Sequence, residues 1–239
     1  EAHTKVFREE RERPVLIWLD LNPSMFFATR GCFKSVAAAK AAALLAWSTS
    51  AHNDRLGSLI FAGKDHVELK PRRGKSAVLD LIGRTCKHPA WKNPDDTQAR
   101  DMSHAMSRLR KVTRPGSLVF LISDFRDMDQ QAESHLINIA RHNDVVLIQV
   151  FDPVEAELPP AGSYKVSDGN SDLQLNTADK KLRQEYRQRF DQRQARLAKL
   201  CRQHRMYLLP VSTQDDVLSS LQQGLGIPAS KHAQFKART

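Results

Sequence analysis

The sequence predicts an α/β protein with a doubly wound, mostly parallel six-stranded sheet, one antiparallel edge strand and helices on both faces. Short apolar runs of strand length alternate along the chain with longer segments that carry apolar residues at helical spacing. Turn residues separate the two kinds of segment almost throughout. With 41% hydrophobic residues among 239, the chain can bury one full core.

In the first half, a short apolar run ends at Asp20, and Pro23 then breaks the pattern, which indicates a buried strand entering a loop. An Ala-rich segment without internal Gly or Pro predicts the first helix. Gly63 and Lys64 separate two strand-like runs and predict a hairpin at the edge of the sheet. The predicted elements are a strand at 15–19, a helix at 34–52, strands at 56–61 and 66–69, and helices at 75–87 and 97–112.

The second half contains the clearest strand, a continuous apolar run that follows Pro115 and Gly116 and ends before Asp124. The Pro- and Gly-containing segment 152–177 predicts an insertion with a small hairpin. The predicted elements are strands at 117–123 and 145–151, a helix at 129–141, hairpin strands at 164–166 and 173–175, a long helix at 178–205, a strand at 207–211 and a helix from 215.

These elements predict one domain over residues 14–227, with a charged lead-in at 1–13 and a tail at 228–239. Because the lead-in begins with Glu1 and has no apolar signal core, we expect a trimmed rather than a secreted chain. The longest apolar stretch is interrupted by Lys40, too early for a membrane span. We therefore expect a soluble, cytoplasmic protein.

The three cysteines, Cys32, Cys86 and Cys201, lie far apart and form no CxxC pair. Their odd number and spacing argue against a disulfide framework and against a zinc site. This pattern indicates a reducing compartment.

The net charge of +10 is concentrated in the helix predicted at 178–205, which contains ten Lys and Arg residues and only three Asp and Glu residues. A cationic helix of this kind suits a nucleic acid or another polyanion. Interleaved glutamines, without exposed aromatic residues for base stacking, favour a solvated face or an acidic protein partner instead. The basic surface predicted here comprises Arg183, Arg187, Arg193, Arg196 and Lys199. Its apolar stripe comprises Leu182, Tyr186, Phe190, Leu197 and Leu200.

Asp20 and Asp124 each end a predicted strand, and ligands of open α/β sheets bind beyond the carboxyl ends of the strands where the strand order reverses. If the two strands are neighbours, both carboxylates face one crevice. Asn22 and Ser24 would add neutral oxygens, and such an all-oxygen set suits Mg²⁺ or Mn²⁺. The alternative is that these residues only cap turns.

The run 20–25 resembles the Asp-x-Ser-x-Ser motif of the metal-ion-dependent adhesion site in von Willebrand factor A domains, and Asp124 looks like that family's acidic residue after the fourth strand. More specifically, residues 5–224 resemble the bacterial branch called domain of unknown function family fifty-eight. Its resemblance is strongest at 7–14, 118–125, 151–153, 157–160 and the basic helix at 186–200. The resemblance implies a three-layer fold and a non-enzymatic interaction module, an adaptor or partner of a MoxR-type AAA+ ATPase.

The motif departs from the family pattern at two points. Asn22 replaces the first Ser, and Arg100 aligns where the family has its metal-binding Thr, with Thr97 close by. A guanidinium beside the two carboxylates could replace the cation, so a metal site and an Arg-filled site both stay open. The partner-binding crevice predicted around the acidic pair comprises Arg100, Thr97, Arg126 and Asp127.

No catalytic set is visible in the sequence. A metal-dependent phosphatase of the haloacid dehalogenase type would need a second Asp two residues after Asp20, but Asn22 stands there and cannot transfer the proton. We therefore predict that the chain is not an enzyme, with the phosphatase as a remote alternative.

Overall fold

The computed structural model describes residues 13–63, 65–92, 102–167 and 172–226. The strands are β1 (Pro14–Asp20), β2 (Arg55–Ala62), β3 (Asp65–Arg72), β4 (Leu118–Ser123), β5 (Asp144–Phe151), β6 (Ser163–Ser167), β7 (Asp172–Asn176) and β8 (Tyr207–Ser212). The helices are α1 (Lys34–Ala51), α2 (Lys75–Cys86), α3 (Met102–Val112), α4 (Gln130–Ala140), α5 (Pro153–Ala156), α6 (Lys180–Gln203) and α7 (Val217–Gly224). The start predicted for the third helix lies outside the described residues.

Six strands form one sheet in the order β3-β2-β1-β4-β5-β8, and β3 is its antiparallel edge strand. The other neighbours pair in parallel. This is the predicted fold class. The chain runs outward from β1 to β3 and then returns to place β4 on the other side of β1. The strand order therefore reverses between β1 and β4, where α/β sheets bind ligands.

The core has two layers, because successive residues of a strand point to opposite faces of the sheet. Ile17 and Leu19 pack in the layer that includes α1, α2 and α7. Leu16 and Trp18 pack in the layer that includes α3, α4 and α6. Ile17, Trp18 and Leu19 are completely buried, and each side chain of this kind contributes about 1.5–3 kcal/mol to stability.

Helix α1 contacts the central strand β1 and also packs against α2 and α7. Its buried face consists largely of alanines, including Ala37, Ala38, Ala41 and Ala42. Small side chains let the helix approach the sheet closely, which fixes the position of its first residue, Lys34, over the carboxyl edge.

The stripe predicted for α6 is only partly buried. Phe190, Leu197 and Leu200 are buried, but Leu182 is 39% exposed. Phe190 packs on Phe151, the last residue of β5, with ring centroids 5.8 Å apart. Because a helix rises 1.5 Å per residue, Leu182 lies roughly 12 Å further out, past the carboxyl edge of the sheet. Leu182 therefore belongs to the apolar stripe but is exposed, since the sheet ends before it.

The insertion forms the predicted hairpin, in which β6 and β7 pair antiparallel. Thr177 anchors its base, because its hydroxyl lies 2.7 Å from the Pro160 carbonyl and its amide donates to the Gly162 carbonyl. None of the helices in the described ranges combines the length and apolar character that crossing a bilayer requires.

Candidate functional site

Asp20 lies at the end of β1, and Asp124 directly follows the neighbouring strand β4. The hydroxyl of Ser123 donates to Asp20 Oδ2 at 2.6 Å and links the two strand ends. The structure therefore places both sequence-predicted carboxylates at the point where the strand order reverses.

The Asp20 carboxyl group is buried, and both of its oxygens accept hydrogen bonds. Besides the bond from Ser123, its Oδ1 accepts from the backbone amide of Asn22 at 2.9 Å. Burial, reinforced by the nearby charge of Asp124, raises the pKa of Asp20 to about 7. The bonds from Ser123 and Asn22 and the charge of Lys34 act in the opposite direction. Asp20 is thus an internal, fully hydrogen-bonded group.

The two neutral side chains predicted for this site, Asn22 and Ser24, bond to different parts of the structure. Asn22 Oδ1 accepts from the backbone amide of Gly63 at 2.9 Å and ties the loop after β1 to the β2–β3 hairpin. Ser24 instead hydrogen-bonds to Asp124 through its side chain. Only Ser24 of this pair therefore contacts one of the two carboxylates through its side chain.

A lysine that the sequence analysis did not identify occupies the centre of the site. Lys34 Nζ lies 2.8 Å from Asp124 Oδ2 and 2.8 Å from Glu155 Oε1. The Lys34 side chain has no exposed surface, and those of Asp124 and Glu155 are 7% and 9% exposed. A buried ammonium persists only when it is paired and hydrogen-bonded, as this one is.

Burial raises the pKa of Asp124, but the Lys34 charge and hydrogen bond outweigh it, so the pKa lies below its usual value. Asp124 Oδ1 also accepts from the backbone amide of Arg126 at 3.1 Å. The Asp124 carboxylate is therefore held in its ionised form by groups of the chain itself.

Lys34 is the first residue of α1, whose first turn contains no acidic residue. A cation at a helix N-terminus opposes the helix dipole, so this position is locally unfavourable. The two carboxylates offset that cost. A lysine at the first position of an Ala-rich helix was the sequence signal that could have identified it.

Glu155 is held by a capping box at the start of α5. Asp152 accepts from the Val154 amide, and Glu155 Oε2 accepts from the Asp152 amide at 3.0 Å. Arg126 Nη2 lies 3.6 Å from Glu155 Oε1 on the side that faces solvent. The Asp-x-x-Glu spacing after the fifth strand was a visible signal for this arrangement.

Asp152 joins three loops of the carboxyl edge. Its carboxylate accepts from the Thr29 amide at 3.0 Å, from the Thr29 hydroxyl at 2.6 Å and from the Thr213 hydroxyl at 2.8 Å. Burial raises the pKa of Asp152, but these bonds and the one from the Val154 amide outweigh it and lower the pKa. The loops after β1, β5 and β8 are thereby fixed around Lys34.

Of the four residues predicted to form the partner-binding crevice, Arg126 and Asp127 lie exposed on the loop after β4. Arg100 and Thr97 lie outside the described residues. The sequence suggested that the Arg100 side chain could take the place of a metal ion. In the described part of the chain, the cation that contacts Asp124 is Lys34.

The residues present do not suit a divalent cation in this arrangement. The oxygens of Asp20, Asn22 and Asp124 already accept hydrogen bonds from the chain, and the Lys34 ammonium lies between Asp124 and Glu155. Within the described ranges, no group of three or more His, Cys, Asp or Glu side chains is arranged to hold a metal ion. The Mg²⁺ or Mn²⁺ site that the sequence left open is an untested alternative.

The residues of the predicted basic surface do not form one continuous patch but lie in different surroundings. Arg196 pairs with Glu133 at 2.7 Å on α4, and Arg193 lines a small cavity beside Asp124 and Glu155. Lys199 is exposed. Arg183 and Arg187 line a larger open cavity of about 1190 Å³ between α5, the hairpin and α6. We call this cavity the basic groove; its cations are Arg30, Lys180, Arg183 and Arg187.

A family profile described as "Protein of unknown function DUF58" matches residues 1–196. The chain belongs to the DUF58 family. This membership and the sheet order agree with the resemblance to a von Willebrand factor A-like domain. Uncharacterized protein Rv1480 of Mycobacterium tuberculosis is 27% identical over 223 residues, which cover 92% of this chain and 68% of that protein.

Two solved structures share the fold of this DUF58 chain. BatB from Bacteroides thetaiotaomicron superimposes with a TM-score of 0.57 at 17% identity. An aerotolerance-related membrane protein from Bacteroides fragilis superimposes with a TM-score of 0.58 at 14% identity. Each alignment covers 90% of this chain and 97% of the other. At these identities the likeness concerns the fold alone.

Proposed function

We propose that this DUF58 chain is a non-enzymatic protein-interaction module that binds its partner with the carboxyl edge of its sheet. The observation that carries the proposal is the Lys34 ammonium between Asp124 and Glu155. It supplies from within the chain the positive charge that a metal ion supplies in an adhesion site, so partner binding requires no divalent cation.

Four features support an interaction site rather than a reaction centre. Lys34 is inaccessible, and both oxygens of Asp20 are engaged, which leaves no free nucleophile for the phosphatase chemistry considered above. The loops around the centre are cross-linked by Asp152. A rigid edge with exposed charges, such as Arg126 and Asp127, suits specific docking because little ordering entropy is lost on binding.

The resemblance to DUF58 proteins supplies the proposed partner, a MoxR-type AAA+ ATPase or the complex on which that ATPase acts. A cytoplasmic location follows from that partner. Binding of nucleic acid by α6 is the second candidate, supported by the exposed cations Arg193 and Lys199. A salt series distinguishes them, since binding to a nucleic acid weakens steeply as salt rises.

The test is capture of the purified, nucleotide-free ATPase by the immobilised chain, with and without EDTA. We expect equal capture in both conditions. Arg126→Ala, at the carboxyl edge, should weaken capture about tenfold, as for a central interface arginine. The matched control Arg114→Ala, exposed in the loop before β4 at the opposite edge, should have no effect. Absence of capture, or equal loss in both variants, would refute the proposal.

A further inference from the structure

The basic groove lies next to the charged centre, because Thr29, Phe151 and Pro153 line it and Thr29 bonds to Asp152. We propose that this groove binds an extended segment of a partner in which acidic and apolar side chains alternate. The inference rests on the proposed function in taking the partner to be a protein, and it names the chemistry that the partner presents.

The cations that line the groove are little neutralised by carboxylates of the described residues. Within the described residues, no carboxylate forms an ion pair with Arg30, Lys180 or Arg183. Arg187 reaches Asp191 only at 3.9 Å, and both side chains are more than 60% exposed, a pair of little energetic value. Glu157 is the single carboxylate among the lining residues. The groove therefore attracts anions.

The spacing of these cations fits an extended peptide. Arg183 and Arg187 are four residues apart on α6, so they are separated by roughly 6 Å along the helix axis. Alternate side chains of an extended chain point to the same side and are separated by roughly 6.6 Å. Two acidic residues at alternate positions can therefore pair with Arg183 and Arg187 at the same time.

A second part of the groove lining, the segment from α5 to Pro160, is largely apolar. It includes Val154, Leu158, Pro159 and Pro160. The Pro160 carbonyl is already engaged by the hydroxyls of Tyr164 and Thr177, and proline has no N–H to offer. This apolar wall can bind the apolar side chains that alternate with the acidic ones in an extended peptide.

The same wall makes a single-stranded nucleic acid the weaker fit. Stacking of bases needs free aromatic faces. Phe151 already packs on Phe190, and the Tyr164 ring lies against Gly162, where an added Cβ would come within 3.1 Å of the ring. Phosphates could pair with the arginines, but they have no apolar groups for the proline wall.

The experiment measures fluorescence anisotropy of a labelled, N-acetylated peptide of about eight alternating Glu and Val residues, which extends over roughly 26 Å. The wild-type chain should bind it, and the same peptide with Gln in place of Glu should bind at least tenfold more weakly. Arg183→Glu with Arg187→Glu should weaken binding of the Glu peptide by roughly tenfold or more.

The matched control is Arg189→Glu with Arg202→Glu, which makes the same charge change on exposed positions of α6 outside the groove. It should change affinity by less than about twofold, since distant exposed charges are screened. Circular dichroism checks that both variants are folded. Equal loss in the two double variants, or tighter binding of a uridine oligonucleotide than of the Glu peptide, would overturn the groove assignment.

The outcome is separable from that of the proposed function. If the ATPase is captured but the folded chain does not bind the Glu peptide, the groove inference fails and the interaction module stands. If the peptide binds as expected and the ATPase is not captured, the proposed partner fails while the groove retains its ligand chemistry.

Discussion

Lys34 Nζ lies 2.8 Å from Asp124 Oδ2, although the two residues are 90 positions apart in the chain. One begins the helix that covers the central strand, and the other follows the neighbouring strand. Their contact places a positive charge at the centre of the carboxyl edge, where the family resemblance implies a metal ion. Four predictions follow from this charged centre and from the loops that hold it.

Lys34→Met should lower the free energy of unfolding by about 3–5 kcal/mol, because the apolar side chain leaves Asp124 buried without its counter-charge and Glu155 with only the longer contact to Arg126. Urea denaturation at neutral pH measures the change. Lys40→Met, on the exposed side of the same helix, is the control and should change stability by less than about 0.5 kcal/mol. Equal stability of the wild type and Lys34→Met would show that the buried pairs are not formed.

The wild-type chain should show no specific heat of binding when titrated with Mn²⁺ or Mg²⁺, because the Lys34 ammonium already lies between Asp124 and Glu155. Lys34→Ala removes the ammonium and should gain Mn²⁺ binding, seen both by calorimetry and as a rise in the melting temperature. Asp124→Asn in that background should abolish the gain. Metal binding by the wild type that depends on Asp124 would contradict this prediction and restore the metal site.

Asp152→Asn should destabilise the chain by about 2–4 kcal/mol at neutral pH, because an amide group presents a donor to Thr29 or Thr213, which themselves donate. The pKa of Asp152 is lowered in the folded state, so its contribution is complete above its unfolded pKa, near 3.8. That contribution is lost as pH falls through the lower folded pKa.

The stability difference between the wild type and Asp152→Asn should accordingly be constant above about pH 5 and shrink only in strong acid. Asp129→Asn is the control, since Asp129 caps α4 at an exposed position and Asn caps helices equally well. A difference that disappears already between pH 5 and pH 7 would show that the pKa of Asp152 is not lowered.

Gly31→Ala should destabilise the chain by about 1–3 kcal/mol for two reasons. Gly31 has a φ of +81°, which strains any residue with a Cβ. The added Cβ would also lie 2.9 Å from the carbonyl oxygen of Thr213, whose hydroxyl donates a hydrogen bond to Asp152. Thermal denaturation measures the loss.

The comparison for Gly31 is Gly83→Ala in α2, where an added Cβ meets no atom within 4 Å. Alanine is the better helix former, so this variant should gain roughly 0.5–1 kcal/mol. If the two alanine variants behave alike, close packing of the loop after β1 against the end of β8 is not a source of stability.

Local patterns were sufficient to predict most of the fold. The alternation of apolar runs with helical periodicity predicted the six-stranded sheet, and the Gly63 turn predicted its antiparallel edge. These features depend on residues close together in sequence. The exposure of Leu182 could not be predicted, because helical spacing identifies an apolar stripe but contains no information about where the sheet beneath it ends.

Local patterns predicted only part of the candidate site. The acidic residues at positions 20 and 124 were recognisable because each ends its own strand, a property that the residues nearby disclose. The cation that pairs with the acidic residue at position 124 could not be predicted from the sequence. Arg100 was the candidate from alignment, whereas a lysine from the first helix contacts Asp124 in the described part of the chain.

Lys34 reaches Asp124 because of how the first helix packs on the central strand. The loop after β5 brings Glu155 to the same ammonium group. Periodicity along the chain therefore specifies which segments become strands and helices. Only packing between distant segments decides which buried charges meet, because the energy of an ion pair depends on distance in space rather than on separation in sequence.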